Sequence, residues 1–465
     1  MRTVRYFRAL ALASIVLLPC VVQRPARAAG ATTVTVWSAT ASSPTQPTPT
    51  GAGFAAIIAR YNHLHPAIKI DWTQYTPQQD PSSYQTLLTA IAGGKAPDIA
   101  EVDRFDAAEF AAKGVIQPIG SYLPAHAATI ATDHLMPGAW EELHGFNGGL
   151  YGIPLIYEAV GFWSLYYNKT LLAAAGVQPP KTWAQLNAAA KKLTRTVGPR
   201  ITQLGYLPFP DAAGELDSLL YAQHGHLMSN DGKTAHLQAP VAVTALQQFV
   251  NEIDAEGGWS NVSRLVPSTT APAAQNPFFT GTAAMTDGGD WYIQNIALYA
   301  PTMHFGVVPM PSLTGKNYGA WAGGWSFQLV KGAAHPTQAV QFMDYLTSAD
   351  AAKTFILAAQ AYGQAHHQVV VLPGGLYFAY PSLVKTYNLP LLEKHPDIYQ
   401  AILHFVNAPR EYSATYARDR NVVSGELWTA EENAAENALF HKMSPQQALA
   451  QQNSIVQNDI NQFSK

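Results

Sequence analysis

Alternating apolar and polar positions open the chain. Residues 33–37 alternate β-branched and apolar side chains, which predicts a half-buried strand. Phe54, Ile57, Ile58 and Tyr61 then recur at helical spacing, residues 68–72 predict a second strand, and Tyr84, Leu87, Leu88 and Ile91 mark a helix that stops at Gly93 and Gly94. The Ser/Thr/Pro-rich stretch 41–50 is expected to stay outside helix and central strand. Residues 97–103 predict a third strand, and an Ala-rich helix follows over 106–113, closed by Gly114. Strands alternating with helices argue for an α/β fold with a mainly parallel sheet covered on both faces. Ligands of such sheets sit beyond the carboxyl ends of the strands, which puts residues 37–38 and 103–105 at one rim.

A second α/β unit is expected from about residue 151, where an apolar, strand-like stretch runs to Asn168 and leads into helices at 171–175 and 183–193. Residues 216–223 and 241–253 are helical by spacing, and 305–309 and 326–330 read as strands returning to a sheet. From Thr337 onward the chain is mostly helical.

The 465 residues, 48% apolar and 13% charged, suffice for one large or two ordinary domains. Arg2, Arg5 and Arg8 precede an apolar run over 9–18, and Ala26-Arg27-Ala28 offers a cleavage site, so residues 1–28 are expected to be an export signal. Its removal takes away five arginines and no acid, leaving 23 basic against 31 acidic side chains. An acidic exported chain is a poor candidate for binding nucleic acid. Cys20, the single cysteine, falls inside the signal, so the mature chain is expected to lack disulfides and thiolate chemistry. A lipidated Cys20 is the competing reading, opposed by Pro19 where such signals carry a small residue.

Enzyme signatures are mostly missing. Gly51-Ala52-Gly53 lies about a dozen residues beyond the strand that a dinucleotide turn would need, and Gly232-Lys233-Thr234 has Leu227 where a phosphate loop requires glycine. The pairs His224/His226, His366/His367 and His63/His65 lack a spacing that sets two metal ligands on one helical face with an acidic third. Glu141-Glu142 and Glu431-Glu432 are expected on solvated helix faces, since sequence neighbours on a helix diverge. What stands out is the aromatic inventory of 10 Trp, 22 Tyr and 18 Phe, several beside glycines: Trp291 after Gly288-Gly289-Asp290, and Trp321 and Trp325 flanking Ala322-Gly323-Gly324. Flat rings with Asp, Glu, Asn and Arg nearby suit the faces and hydroxyls of a sugar, without a reacting group.

These segments together resemble a known family, the extracellular solute-binding proteins of ABC importers, in particular the carbohydrate-binding group with the maltose- and trehalose-binding proteins. The resemblance rests on residues 34–37, 88–103, 149–169, 180–183, 279–291, 305–311 and 323–325, in that order. It implies a two-lobed periplasmic-binding-protein fold, each lobe a mainly parallel sheet flanked by helices, with a hinge of three chain crossings near 154–158, 304–310 and 345–352. The first lobe would comprise 29–156 plus 307–348, and the second 157–306 plus 349–465. It further implies an exported, monomeric, non-enzymatic receptor without cofactor, which closes on a sugar or short oligosaccharide and delivers it to the membrane permease.

Matched position by position, the resemblance implies ligand contacts from Asp103 and Arg104 after the third strand, Trp291, Gly324 and Trp325, Tyr157 and Glu158 at the first crossing, Trp37 and Ser38 after the first strand, and Arg410 and Tyr412 near the C-terminus. Three alternatives compete with it. They are a carbohydrate hydrolase using Asp103 or Glu158 with a second carboxylate, a metal-capture protein using the histidines, and a receptor for a phosphorylated polyol such as a glycerol phosphodiester.

Overall fold

The computed structural model describes residues 31–38, 43–74, 84–123, 139–157, 163–268, 271–316, 319–321, 323–411, 414–416 and 418–463. The expected signal with Cys20, and the candidate ligand residues Glu158 and Tyr412, lie outside these residues.

Twelve strands are present among the described residues: β1 Thr32–Ser38, β2 Ile68–Gln74, β3 Ile99–Asp103, β4 Gly152–Pro154, β5 Ser164–Asn168, β6 Arg195–Val197, β7 Arg200–Leu207, β8 Ala283–Gly288, β9 Phe305–Pro309, β10 Gly319–Trp321, β11 Trp325–Leu329 and β12 Ala414–Tyr416. They form two five-stranded sheets, β2-β1-β3-β11-β4 and β6-β7-β8-β5-β9, and the pair β10-β12. Two helix-flanked sheets give the expected α/β architecture of two lobes.

The sheets are mixed, which corrects the expectation of mainly parallel ones. In the first, β1 runs parallel to β2 and β3, but β11 is antiparallel to both β3 and β4. In the second, only β7-β8 is parallel, while β5 runs antiparallel to β8 and β9, and β6 to β7. The reason is connectivity. Strands that return from the other lobe, such as β11, are not bound by the βαβ crossover that forces parallel pairing.

Local signals set the elements of the first lobe. The helix Pro49–Leu64 starts inside the stretch expected to be irregular, because Thr48 caps it by accepting from the Gly51 amide at 3.1 Å and Pro49 occupies the first turn, where its missing N–H costs nothing. Phe54 of this helix is fully buried against Trp72, Tyr157 and Phe355. In the second lobe, Thr182 and Gln185 form a reciprocal cap that starts the helix Trp183–Leu193.

The helix Ala349–Ala365, expected in the second lobe, packs along the first lobe's Pro49–Leu64 helix. Gly53 meets the Phe355 ring there, and Arg60 pairs with Asp350 at 3.1 Å. The third crossing therefore follows residue 365 rather than 345–352, and residues 349–365 belong with the first lobe. Likewise β9 pairs with β5 in the second sheet, which moves the second crossing beyond residue 309. Helices Ser424–Leu439 and Pro445–Phe463 pack on each other and on Ala212–Tyr221 and Pro240–Ala255, so the C-terminal helices belong to the second lobe.

Candidate functional site between the lobes

Asp103 ends β3, and its carboxylate accepts the Phe105 amide at 3.0 Å, capping the short 3-10 turn Arg104–Asp106. That turn splits two neighbours. Arg104 points inward, 2% exposed, donating from Nε to Glu142 Oε2 at 2.7 Å and from Nη2 to the Gly323 carbonyl at 2.7 Å. Asp103 stays 27% exposed and receives the fork of Arg418, Nη1 to Oδ2 at 3.2 Å and Nη2 to Oδ1. Gly324 closes the arrangement. Its amide neighbour geometry is left-handed, φ +141°, and its carbonyl accepts the Arg104 amide at 3.0 Å. A Cβ there would sit 2.8 Å from Arg104 Nη1, so both the backbone angle and the space call for glycine.

Arg418, 3% exposed, enters from the segment before the Ser424–Leu439 helix of the second lobe and spans two carboxylates of the first. Besides Asp103 it reaches Glu142 Oε1 from its backbone amide at 3.0 Å and from Nε at 3.3 Å, and its guanidinium lies 5.0 Å over the Phe105 ring. Burial works against its charge, yet Asp103 and then Glu142 outweigh that, so its pKa is raised further and it remains a cation. Glu142 is 1% exposed and Glu431 is likewise buried, which corrects the expectation of solvated faces for both acidic pairs; one member of each pair turns into the protein.

Next to this lattice, the Ser424 hydroxyl lies 2.7 Å from Asp106 Oδ1 and 2.6 Å from Glu109 Oε2. One hydroxyl has one proton to give, so one of the two contacts needs a protonated carboxyl. Burial first, and then the charge of Asp103, push Asp106 up to about 7, which makes it the carboxyl that shares the proton.

A run of aromatic rings leads from the second lobe to this junction. Half-buried Trp291 meets Trp163 edge-on at 5.1 Å, Trp163 meets Phe209 at 5.1 Å, and Trp428 meets Phe105 at 6.1 Å. Gly214 lies beside both Phe209 and Trp428, within 4 Å of each ring from its Cβ position, and so joins the two ends of the run. Asp211 caps the Ala212–Tyr221 helix at the Ala213 amide, 3.0 Å, and also hydrogen-bonds Trp428; burial nevertheless raises its pKa. A cavity of about 150 Å³ opens beside Trp291, lined among others by Phe209, Pro210, Asn276, Tyr292 and Asn295, with no acidic or basic side chain in its wall.

The candidate residues read from sequence thus separate. Asp103, Arg104 and Gly324 meet at the junction of the lobes, and Trp291 lines the neutral cavity. Trp325 is 8% exposed and packs in the core of the first lobe, paired across the sheet with Asp103. Tyr157 is core as well: its ring lies 4.7 Å from Phe355 and its hydroxyl donates to the Leu346 carbonyl at 2.6 Å, which pins the first crossing to the first lobe. Trp37 is half-buried against the Tyr84 and Phe110 cluster on the far side of the sheet, and Ser38 is fully buried. Arg410 falls in the Pro396–Glu411 helix.

Sequence reasoning passed over Arg418 and Trp428, and it placed Glu142 on a solvated face. Only Trp428, an aromatic at the start of a helix among polar residues, carried a signal of the type used for Trp291. The histidines have other partners: His226 Nδ1 lies 2.7 Å from Asp419, and His366 stacks on Tyr362 at 3.9 Å. No helix among the described residues is long and apolar enough to cross a membrane.

The chain is 28% identical over 305 residues to an uncharacterized lipoprotein of Streptomyces antibioticus, an alignment spanning 62% of each chain and hence less than two thirds of that relative. It is 27% identical over 438 residues to an sn-glycerol-3-phosphate-binding periplasmic protein of Yersinia pestis, covering 87% of this chain and 88% of the other. Among solved structures it resembles CpMnBP1 with mannotriose bound, with a TM-score of 0.71 at 23% identity, over 91% of this chain and all of that one; at this identity the likeness concerns the fold. Residues 45–353 match the bacterial extracellular solute-binding protein family, and the chain belongs to that family.

Proposed function

We propose that the protein is the extracytoplasmic receptor of an ABC importer, that it holds a neutral sugar or short oligosaccharide between its lobes, and that it hands this guest unaltered to the membrane permease. The observation that carries the reading is the uncharged aromatic wall running from the Trp291 cavity to Phe105. Ring faces match the C–H faces of a pyranose, and the neighbouring asparagines and Asp103 supply hydroxyl partners. The mannotriose bound to CpMnBP1 supports the same choice.

A phosphorylated polyol, the ligand class of the Yersinia pestis relative, fits the charges less well. Arg104 and Arg418 are both bound to carboxylates, and an anion at the junction would face the partly exposed Asp103. The same pairing argues against hydrolysis by Asp103, because a carboxylate gripped by an arginine on both oxygens is a poor nucleophile or proton donor. His226 bound to Asp419 and His366 stacked on Tyr362 lend no support to metal capture.

Titration calorimetry with mannotriose, maltotriose and sn-glycerol-3-phosphate tests the reading. A neutral trisaccharide should bind saturably, and Trp428→Ala and Trp291→Ala should each weaken it by roughly 1 to 3 kcal/mol, or about 5- to 150-fold, with folding intact. Binding of the phosphate alone, or shortened sugars in the recovered mixture, would overturn it.

A further inference from the structure

The loop that carries Phe209 has a single backbone anchor. It joins β7 to the Ala212–Tyr221 helix through Pro208-Phe209-Pro210, and proline has no N–H to give, so the Phe209 amide is the only backbone donor between Leu207 and Asp211. That amide donates to Glu215 Oε2 at 2.8 Å, while Glu215 Oε1 accepts the Tyr206 hydroxyl at 2.8 Å. Glu215 belongs to the first turn of the helix, so one carboxyl ties together the end of the strand, the loop and the helix.

An acid is a costly way to fill this position. Glu215 is 0% exposed and no ion pair joins it to a cation among the described residues, so burial pushes its carboxyl up to about 7 against the pull of the Phe209 amide, the Tyr206 hydroxyl and Asp287. The Asp287 side chain, also 0% exposed, meets the same carboxyl, so one of the two acids carries a proton for the contact. Asp287 lies in β8, the strand that leads to Trp291. A leucine in place of Glu215 would avoid the desolvation. What only the carboxyl supplies is the grip on both Tyr206 and Phe209.

That grip acts on the aromatic wall. Phe209 is half-buried, meets Trp163 at 5.1 Å and lines the Trp291 cavity together with Pro210. The two prolines fix their own φ, which leaves Phe209 with the only free φ between Leu207 and Asp211, and this is the residue that the carboxyl holds.

We propose that Glu215 is a positioning residue for the aromatic wall: its carboxyl fixes the Phe209 backbone, and so sets the ring against which a bound sugar packs. Being fully buried, it acts through Phe209 and not by touching the sugar. The effect on affinity rests on the reading of this wall as the saccharide site, whereas the fixing of Phe209 does not.

Two measurements on the intact mature protein separate these. Hydrogen exchange read by mass spectrometry on peptides spanning 207–211 reports Phe209 without any ligand, since the flanking prolines carry no amide; the site should be protected in the parent and exchange at least tenfold faster in Glu215→Leu. Calorimetric titration with mannotriose and maltotriose should show Glu215→Leu at least tenfold weaker, Glu215→Gln, which keeps an acceptor for the amide, closer to the parent, and at most a twofold further loss when Glu215→Leu is added to Phe209→Ala. Tyr206→Phe, which removes one donor to the carboxyl, gives the same directions at smaller amplitude if Glu215→Leu does not fold. Equal exchange in parent and variant overturns the proposal, and so does an affinity loss that is the same with and without the Phe209 ring, which marks a general disturbance of the lobe. Protection that depends on Glu215 in a protein that binds neither trisaccharide upholds the fixing of Phe209 and overturns the saccharide reading instead.

Discussion

Arg418→Ala removes the cation that joins Asp103 and Glu142 of the other lobe. The variant leaves Glu142, 1% exposed, with Arg104 as its remaining cation at 2.7 Å, and deprives Asp103 of both fork contacts. It also strips a guanidinium from the face of Phe105. Breaking a buried pair from one side typically costs about 3 to 5 kcal/mol, since the surviving charges keep their desolvation penalty without their partner. The upper part of that range is expected here, because one cation serves two acids. The diagnostic comparison is with Arg418→Met and Asp103→Asn combined, which removes one pair of opposite charges, leaves Glu142 with Arg104, and should recover about half of the loss or more. Urea unfolding followed by tryptophan fluorescence measures both. An Arg418→Ala variant within about 1 kcal/mol of the parent, or a double variant no better than the single one, would refute the view that this lattice holds the lobes in register.

Two further perturbations test other parts of the account. Six buried carboxyls of the second lobe are raised chiefly by burial, Glu215 and Glu256 to about 7, Asp217 to about 8, and Glu252, Asp287 and Glu431 well above their ordinary values. The folded state therefore binds more protons than the unfolded chain between about pH 4.5 and 8, so their contribution is complete at the acid end and is lost as pH rises; the thermal midpoint should be roughly 5 °C or more higher at pH 5 than at pH 8, and a flat profile would count against the burial. Gly205→Ala would place a Cβ 2.0 Å from the Ala190 carbonyl oxygen, forcing the Trp183–Leu193 helix off β7, and should cost about 3 kcal/mol in denaturant unfolding.

The first lobe was legible because its strands obey local rules. β1 and β2 alternate buried with more exposed positions, and Gly93, Gly94 and Gly114 mark where helices end. The second sheet was harder to read. β8 is buried at all six positions and includes Thr286 and Asp287, so neither alternation nor hydrophobicity announces it. The misplaced third crossing has a similar cause, since nothing local in residues 349–365 says that Phe355 seeks Phe54, some 300 residues earlier.

The site divides along the same line. Asp103 and Trp291 lie at strand ends, where local pattern points to them; Arg418 lies 315 residues from Asp103 in a polar stretch and carries no such signal. Trp325 drew attention by its glycines, yet those glycines serve Arg104, whose guanidinium needs the room that a Cβ at position 324 would take.

The central claim is that the lobes shut on a neutral guest. Small-angle X-ray scattering of the mature protein, titrated with the neutral trisaccharide that binds in calorimetry, addresses it most directly, because ligand that bridges both lobes must shift the balance toward the closed shape. The account expects the radius of gyration to fall with the same saturation curve as binding, and this fall to vanish in Trp428→Ala at the same sugar concentration. A radius that stays constant through saturation, or that falls with sn-glycerol-3-phosphate and not with any neutral sugar, would contradict it.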